Sequence, residues 1–231
     1  VSELAQRIGV SGETIRRDLA ELVDAGLVSR TYGGATLAPF VAEPSVGERD
    51  RTLVAERFRI AAAAAQEVEN GQLVTLDGGS TTRAVARHLA QLRRDLTIIT
   101  NSLGVAIAAG ANPTFRVLLC PGRYHAGEGS VFGEDTTDYL ARFHAHVAII
   151  GATGLTNEGP SEAVSGAAAV KRVMLRRAAA TLLVLDHSKF ERTSVETVCD
   201  FSALGAIVTD APLPVLLARA AAEGGTRVVV A

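Results

Sequence analysis

The sequence predicts an α/β protein, built as a doubly wound, mostly parallel sheet, with a small helix-turn-helix segment in front of it. Three observations carry this. Short apolar runs of strand length alternate with helical patterns from about residue 56 onward. Aromatic residues make up 4% of the chain and Trp is absent, so the core must rest on Ala, Val, Leu and Ile, which suits a parallel sheet covered by helices. The stretch Val74-Thr-Leu-Asp-Gly-Gly-Ser-Thr-Thr82 reads as a buried strand, a glycine turn and a helix N-terminus, with Val85, Ala86 and Leu89 on one helical face.

The bounds set by composition are broad. A chain of 231 residues, 48% hydrophobic and 21% charged, has the makeup of a soluble globular protein and room for one α/β domain plus an accessory one. The net charge of −2 gives no global basic excess, so any DNA contact must come from a local surface. Cys120 and Cys199 stand far apart without metal-ligand neighbours and read as buried thiols of a reducing cytosol. Neither a signal-like start nor an apolar run long enough to cross a bilayer is present, and a cytoplasmic protein is expected.

Taken in order, Leu4, Ala5 and Ile8 form a short apolar helical stripe that Gly9 stops. Ser11 caps a second helix with Ile15, Leu19, Leu22 and Val23 inside. Thr14, Arg16 and Arg17 then lie where a recognition helix presents side chains to a major groove. Residues 27–34 follow as a strand ending in a glycine pair, similar to the wing of a winged helix, with Arg30, Tyr32 and Gly33 near DNA. The alternative for Arg16 and Arg17 is a solvated face paired with Glu13, Asp18 or Glu21, and residues 1–37 hold four arginines against five acidic residues. Residues 38–50, rich in Pro, Gly and charge, read as a linker.

The segment VSELAQRIGVSGETIRRDLAELVDAGLVSRTYGGA resembles the N-terminal winged helix of the DeoR family of bacterial sugar-responsive transcriptional regulators. The resemblance implies operator DNA as partner and residues 1–37 as a DNA-binding domain. The family carries a further helix before this segment, so the domain is expected to lack its first helix and to expose an apolar face.

Residues 51–231 form the expected larger domain. Glu56–Glu69 reads as an alanine-rich helix; strands follow at 73–76, 96–100, 115–119, 147–150, 181–185, 206–209 and 227–230. Helices are expected at 103–109, 136–143, 162–177 and 213–223, with 120–129 as a surface loop. Ligands of such sheets bind beyond the carboxyl ends of the strands, and the polar clusters fall there: Asp77 to Thr82, Thr100-Asn101-Ser102, Gly151 to Gly154, and Asp186 to Lys189. Hydroxyls and amides suit a polyol. Gly78 and Gly79 let the backbone approach a ligand, and Ser80, Thr81 and Thr82 open a helix suited to a phosphate, though the same turn serves equally as a helix cap.

This second segment resembles the effector-binding domain of the same family through its GSTT turn, its TNS tripeptide, the GA-x-G turn, the Lys171 helix and the D-x-SK stretch. The resemblance implies a fold related to ribose-5-phosphate isomerase and CoA-transferase domains and a phosphorylated sugar as effector. Carried over, phosphate would sit near Gly79, Ser80, Thr81 and Thr82, and the sugar near Asp77, Asn101 and Lys171, with Thr100, Ser102, Gly151, Thr153, Gly154 and Lys189 around it. Thr153 stands where the family carries Asp, and Pro121-Gly122-Arg123 replaces a glycine run. Repression of carbohydrate genes, released by the effector, is the leading expectation, with a symmetric homo-oligomer matched to paired half-sites. No cofactor is expected. His125, His144, His146 and His187 lack metal-motif partners, and no catalytic triad order is present. The competing expectation is a sugar-phosphate isomerase or transferase with Asp77 and Glu162 as available carboxylates. A third is a sugar-phosphate-binding domain without a working DNA reader.

Overall fold

The computed structural model describes residues 1–24, 28–31, 34–37 and 44–231, with backbone alone at 23, 24, 28–31, 36 and 37. The chain divides into two compact units, Val1–Glu43 and Pro44–Ala231.

In the first unit, α1 (Ser2–Ile8) ends at Gly9, which takes a left-handed conformation at φ 76° and returns its N–H to Ala5 O. The helix α2 (Gly12–Asp24) is capped by Ser11, whose Oγ accepts from Thr14 N at 3.0 Å. Ile15 is buried between them. Leu22, expected inside, is 38% exposed. Leu4 and Ile8 are exposed as well. Strands β1 (Val28–Thr31) and β2 (Gly34–Leu37) pair antiparallel, Val28 with Leu37 and Thr31 with Gly34, as a wing does.

In the second unit, α3 (Val46–Arg49) opens on a capping box: Ser45 Oγ accepts from Glu48 N while the Glu48 carboxylate accepts from Ser45 N at 2.9 Å. Composition alone had this stretch within the linker. One turn of helix has no apolar period to betray it, and what holds it is long-range: Arg49 meets Glu128 and Asp50 meets Arg83, each at 2.6 Å. The alternation then runs α4 (Val54–Gln66), β3 (Leu73–Leu76), α5 (Ser80–Leu92), β4 (Thr97–Thr100), α6 (Leu103–Ala109) and β5 (Arg116–Leu119). A hairpin follows, β6 (Arg123–His125) and β7 (Ser130–Phe132), then α7 (Glu134–Ala141) and β8 (Ala145–Ile150). Next come β9 (Gly154–Thr156), β10 (Gly159–Glu162), α8 (Ser165–Arg176) and β11 (Ala178–Val184). The short β12 (Glu196–Thr197), β13 (Ala206–Thr209), α9 (Val215–Glu223) and β14 (Arg227–Val230) finish it.

Seven strands form one sheet in the order β14-β13-β11-β8-β3-β4-β5, every pair parallel. Alternate residues feed two cores. Val147 and Ile149 pack with Ile60, Val85, Leu89 and Val105 of α4, α5 and α6; Ala148 and Ile150 pack with Leu140, Met174 and Leu217 of α7, α8 and α9. The sheet is therefore doubly wound, with three helices on each face.

Two expectations are corrected. Residues 120–129 hold a strand of a hairpin, not a loop alone, and Glu162 ends a strand instead of starting a helix. Strands β9, β10 and β12 make a separate antiparallel sheet, β9 and β10 being joined by a two-residue turn between Thr156 and Gly159. These strands are short and polar, so hydrophobic period could not reveal them. Gly159 is required there twice over: its φ is 116°, and a Cβ would stand 2.0 Å from Cys199 O. Burial pushes both cysteine thiols up to about 12, and among the described residues no helix is long and apolar enough to cross a membrane.

Candidate functional site

From β3 the chain adds β4 and β5 on one side, while β8 and the later strands lie on the other. In open α/β sheets such a reversal is where the ligand crevice lies, here beyond the carboxyl ends of β3 and β8. Asp77 follows β3 and Gly151 follows β8; Asn101 follows β4, whose Thr100 is level with Leu76.

Lys171, from α8, organises the floor. Its Nζ lies 2.9 Å from Asp77 Oδ2 and donates to Gly151 O at 3.0 Å and to Glu162 Oε1. Asp77 Oδ2 also accepts from Gly151 N at 3.0 Å. Thr153 Oγ1 donates to Glu162 Oε2 at 3.1 Å. An ammonium has three N–H groups, and all three are directed at these partners. Burial pushes the Glu162 carboxyl up, against the pull of Lys171, and the Asp77 charge adds to the rise. For Lys171 burial acts downward, but the two carboxylates outweigh it and hold the ammonium form.

Among the described residues, two acceptors in this crevice have no donor. Asp77 Oδ1 and Asn101 Oδ1 are buried without a hydrogen-bond partner, although Asn101 Nδ2 donates to Val131 O at 3.0 Å. A buried carboxylate oxygen left unpaired is costly, so this pair calls for donors such as ligand hydroxyls. Beside them α5 begins at Gly79 with no side chain capping it. Its first N–H groups are a ready site for an anion.

The residues picked from sequence divide into groups. Asp77, Gly151, Thr153 and Lys171 are brought together. Thr82 Oγ1 donates to Asp77 O and Gly79 O, so its hydroxyl closes the turn. Thr100 Oγ1 accepts from Ser102 N, and Ser102 caps α6 through Val105 N. Gly78 is required by packing, since a Cβ there would lie 2.1 Å from Ser130 Oγ. Gly154 faces the Arg192 backbone, with which its Cβ would collide at 2.2 Å, so its reason is packing. Ser80 and Thr81 lie buried in the first turn of α5. Lys189 closes a single turn of 3-10 helix, His187–Lys189, after β11. Sequence reasoning missed Ser130, which β7 inserts against the turn; a lone serine in a polar stretch sends no signal. It also missed the Arg57 and Asp186 pair, 3.5 Å apart and both buried. No group of three or more His, Cys, Asp or Glu among the described residues could hold a metal.

In the first unit, Ser11 and Thr14 hydrogen-bond each other at 2.8 Å, and Arg16 pairs with Glu13 at 2.8 Å. Arg17 is exposed and has no ion pair among the described residues. Arg30 falls in β1, while Tyr32 and Gly33 lie outside the described residues.

A model of the DeoR C terminal sensor domain matches residues 53–211, and one of the DeoR-like helix-turn-helix domain matches residues 1–39. The glycerol-3-phosphate regulon repressor of Escherichia coli (strain K12) is 35% identical over 92% of this chain and 84% of that protein. The HTH-type transcriptional repressor GlcR of Bacillus subtilis (strain 168) is 30% identical over 90% of this chain and 80% of that protein. Among solved structures, eIF2B delta from Chaetomium thermophilum gives a TM-score of 0.50 at 14% identity over 69% of this chain and 57% of that one, a likeness of fold alone. Ribose 5 phosphate isomerase A from Neisseria gonorrhoeae gives 0.44 at 15% identity over 59% of this chain and 53% of that one. With family models covering both of its units and repressors as relatives along nearly its whole length, the chain belongs to the DeoR family of transcriptional regulators.

Proposed function

We propose that this regulator represses genes of carbohydrate metabolism and leaves its operator when a phosphorylated sugar or polyol enters the crevice between β3, β4 and β8. The observation that carries the proposal is the pair of donorless buried oxygens, Asp77 Oδ1 and Asn101 Oδ1, next to an uncapped helix start. The two acceptors take polyol hydroxyls, and the N–H groups at Gly79 to Thr82 take the phosphate. Lys171 acts as a positioning residue, fixing Asp77 so that Oδ1 is left for the ligand. Residues 1–37 read DNA, and the unit from Pro44 to Ala231, which takes in the end of the expected linker, senses the effector. The protein works in the cytoplasm as a homo-oligomer matched to paired half-sites. An effector that weakens operator binding must itself bind the DNA-bound form more weakly.

The same geometry disfavours Glu162 as the base of an isomerase and leaves Asp77, whose Oδ1 is unengaged, as the carboxylate to test. A base must be free to take a proton from carbon, yet both Glu162 oxygens are engaged, by Lys171 and Thr153, and Thr153 replaces the acid expected at that turn.

The test is thermal unfolding with sugar phosphates, their unphosphorylated parents and inorganic phosphate. One relative is named for the glycerol-3-phosphate regulon, which makes sn-glycerol 3-phosphate the first probe. At about one hundred times its dissociation constant a specific ligand adds roughly 2.7 kcal/mol to native stability. One phosphate ester should stabilise the protein where its parent does not, and should release upstream DNA. Turnover of ribose 5-phosphate that vanishes in Asp77→Ala would instead establish the enzyme.

A further inference from the structure

With every Lys171 proton committed to Asp77, Gly151 and Glu162, a phosphate at the start of α5 needs a different cation. A cleft of about 180 Å³ opens between α4 and α5, and Ser80 is common to it and to the glycine turn. Arg57 lines this cleft, 6% exposed, with its Nε–H buried and lacking any acceptor among the described residues. Its other nitrogens are occupied by Arg49 O, Thr52 O and Asp186. On the facing helix His88 is 9% exposed; Nδ1 lies 3.1 Å from Ala84 O, which can only accept, so Nδ1 carries a proton and Nε2 is left buried and unpartnered. Arg87 stands exposed on the wall with no ion pair among the described residues. The carboxylate of the wall, Asp50, is already neutralised by Arg83 at 2.6 Å.

We infer that the α4/α5 cleft is the anion subsite of the effector pocket, in which a phosphate takes the Nε–H of Arg57 and the Ser80 end of α5, with Arg87 at the rim. The inference rests on the phosphate-ester reading above and adds Arg57 as the positive partner of the phosphate. Arginine is suited to the task because its charge is permanent and its donors are set in a plane. Held between the two other nitrogens' anchors, the Arg57 Nε–H is already oriented before a ligand arrives, so little order is lost on binding.

Inorganic phosphate and sn-glycerol 3-phosphate, with glycerol as the uncharged control, are titrated into the full chain and into two variants, followed by phosphorus NMR line broadening and thermal unfolding. Arg57→Lys keeps the charge and loses Nε; Ala84→Leu fills the cleft and leaves the Arg57 side chain unsubstituted. Both should weaken phosphate by about tenfold or more, the loss of one charge-assisted hydrogen bond or of the space itself. Folding of each variant is checked by near-ultraviolet circular dichroism. Phosphate affinity unchanged in a folded Ala84→Leu protein overturns the cleft and leaves the effector reading standing. Absence of any phosphate-dependent change in the wild-type chain overturns both.

Discussion

At the scale of single residues, Lys171 carries the greatest weight. It is 4% exposed and compensates two carboxylates that are equally buried. Removing one partner of a buried ion pair leaves the other uncompensated, a cost of about 3–5 kcal/mol. Lys171→Met keeps the volume and removes the charge, so it should lower unfolding free energy in urea by that amount at neutral pH. The sign of its pH dependence follows from Glu162, whose carboxyl burial already pushes up from the ordinary 4.5. Without Lys171 the folded form holds its proton still more tightly than the unfolded chain does. Stability is then retained below pH 4.5 and lost as pH rises through the folded value, so the gap to wild type should widen from pH 4.5 toward 7. A gap that stays constant would mean that Glu162 and Asp77 find other partners.

At the scale of elements, the meeting of the Asp77-Gly78-Gly79 turn with the β6/β7 hairpin decides the shape of the crevice. Gly78 has room for no side chain, since Ser130 Oγ would stand 2.1 Å and Ser130 Cβ 3.1 Å from an added Cβ. Gly78→Ala should cost about 1–3 kcal/mol by overpacking, and Ser130→Ala in the same chain should recover part of it. A double-mutant cycle measures the coupling; additive effects would show that the hairpin yields freely. Elements also show what a sequence can disclose. The strands β3 and β13 and the helix α6 have the bounds expected from apolar runs and caps, because in a parallel sheet buried on both faces hydrophobicity alone marks a strand; the edge strand β14 has its expected bounds although it is largely exposed. Hairpins β6/β7 and β9/β10 pair across short turns but are too short and polar for an apolar alternation to mark them, and the turn α3 offers only its Ser45–Glu48 capping box, the rest of its hold coming from partners distant in sequence. Asp77, Asn101, Gly151 and Lys171 could be picked out from strand ends and from resemblance. That Lys171 meets Asp77, Gly151 and Glu162 together, and that Arg57 of an alanine-rich helix lines a cleft with Ser80, could come only from packing.

For the whole molecule, function depends on a reader of modest charge. Arg16 is paired with Glu13, so its charge is partly spent within α2, whereas Arg17 has no ion pair among the described residues. Operator binding measured by gel retardation should fall steeply with salt, as counterions are released from each neutralised phosphate. Arg17→Ala should weaken binding across sequences and reduce the salt slope by about 1, where a lost base contact would relax specificity at one position. No change in slope would place Arg17 off the backbone.

The neighbours β3 and β8 at the centre of the sheet come from distant parts of the chain; Asp77 and Gly151, which they present to each other, are 74 residues apart. Closing so long a loop must precede the contacts that reward it, and parallel pairing of this kind is slow. The crevice therefore exists only once the two halves of the sheet have joined. A nascent or partly unfolded chain offers a metabolite nothing to grip, so an effector of the proposed kind should slow unfolding of the finished regulator and leave the rate of its assembly unchanged.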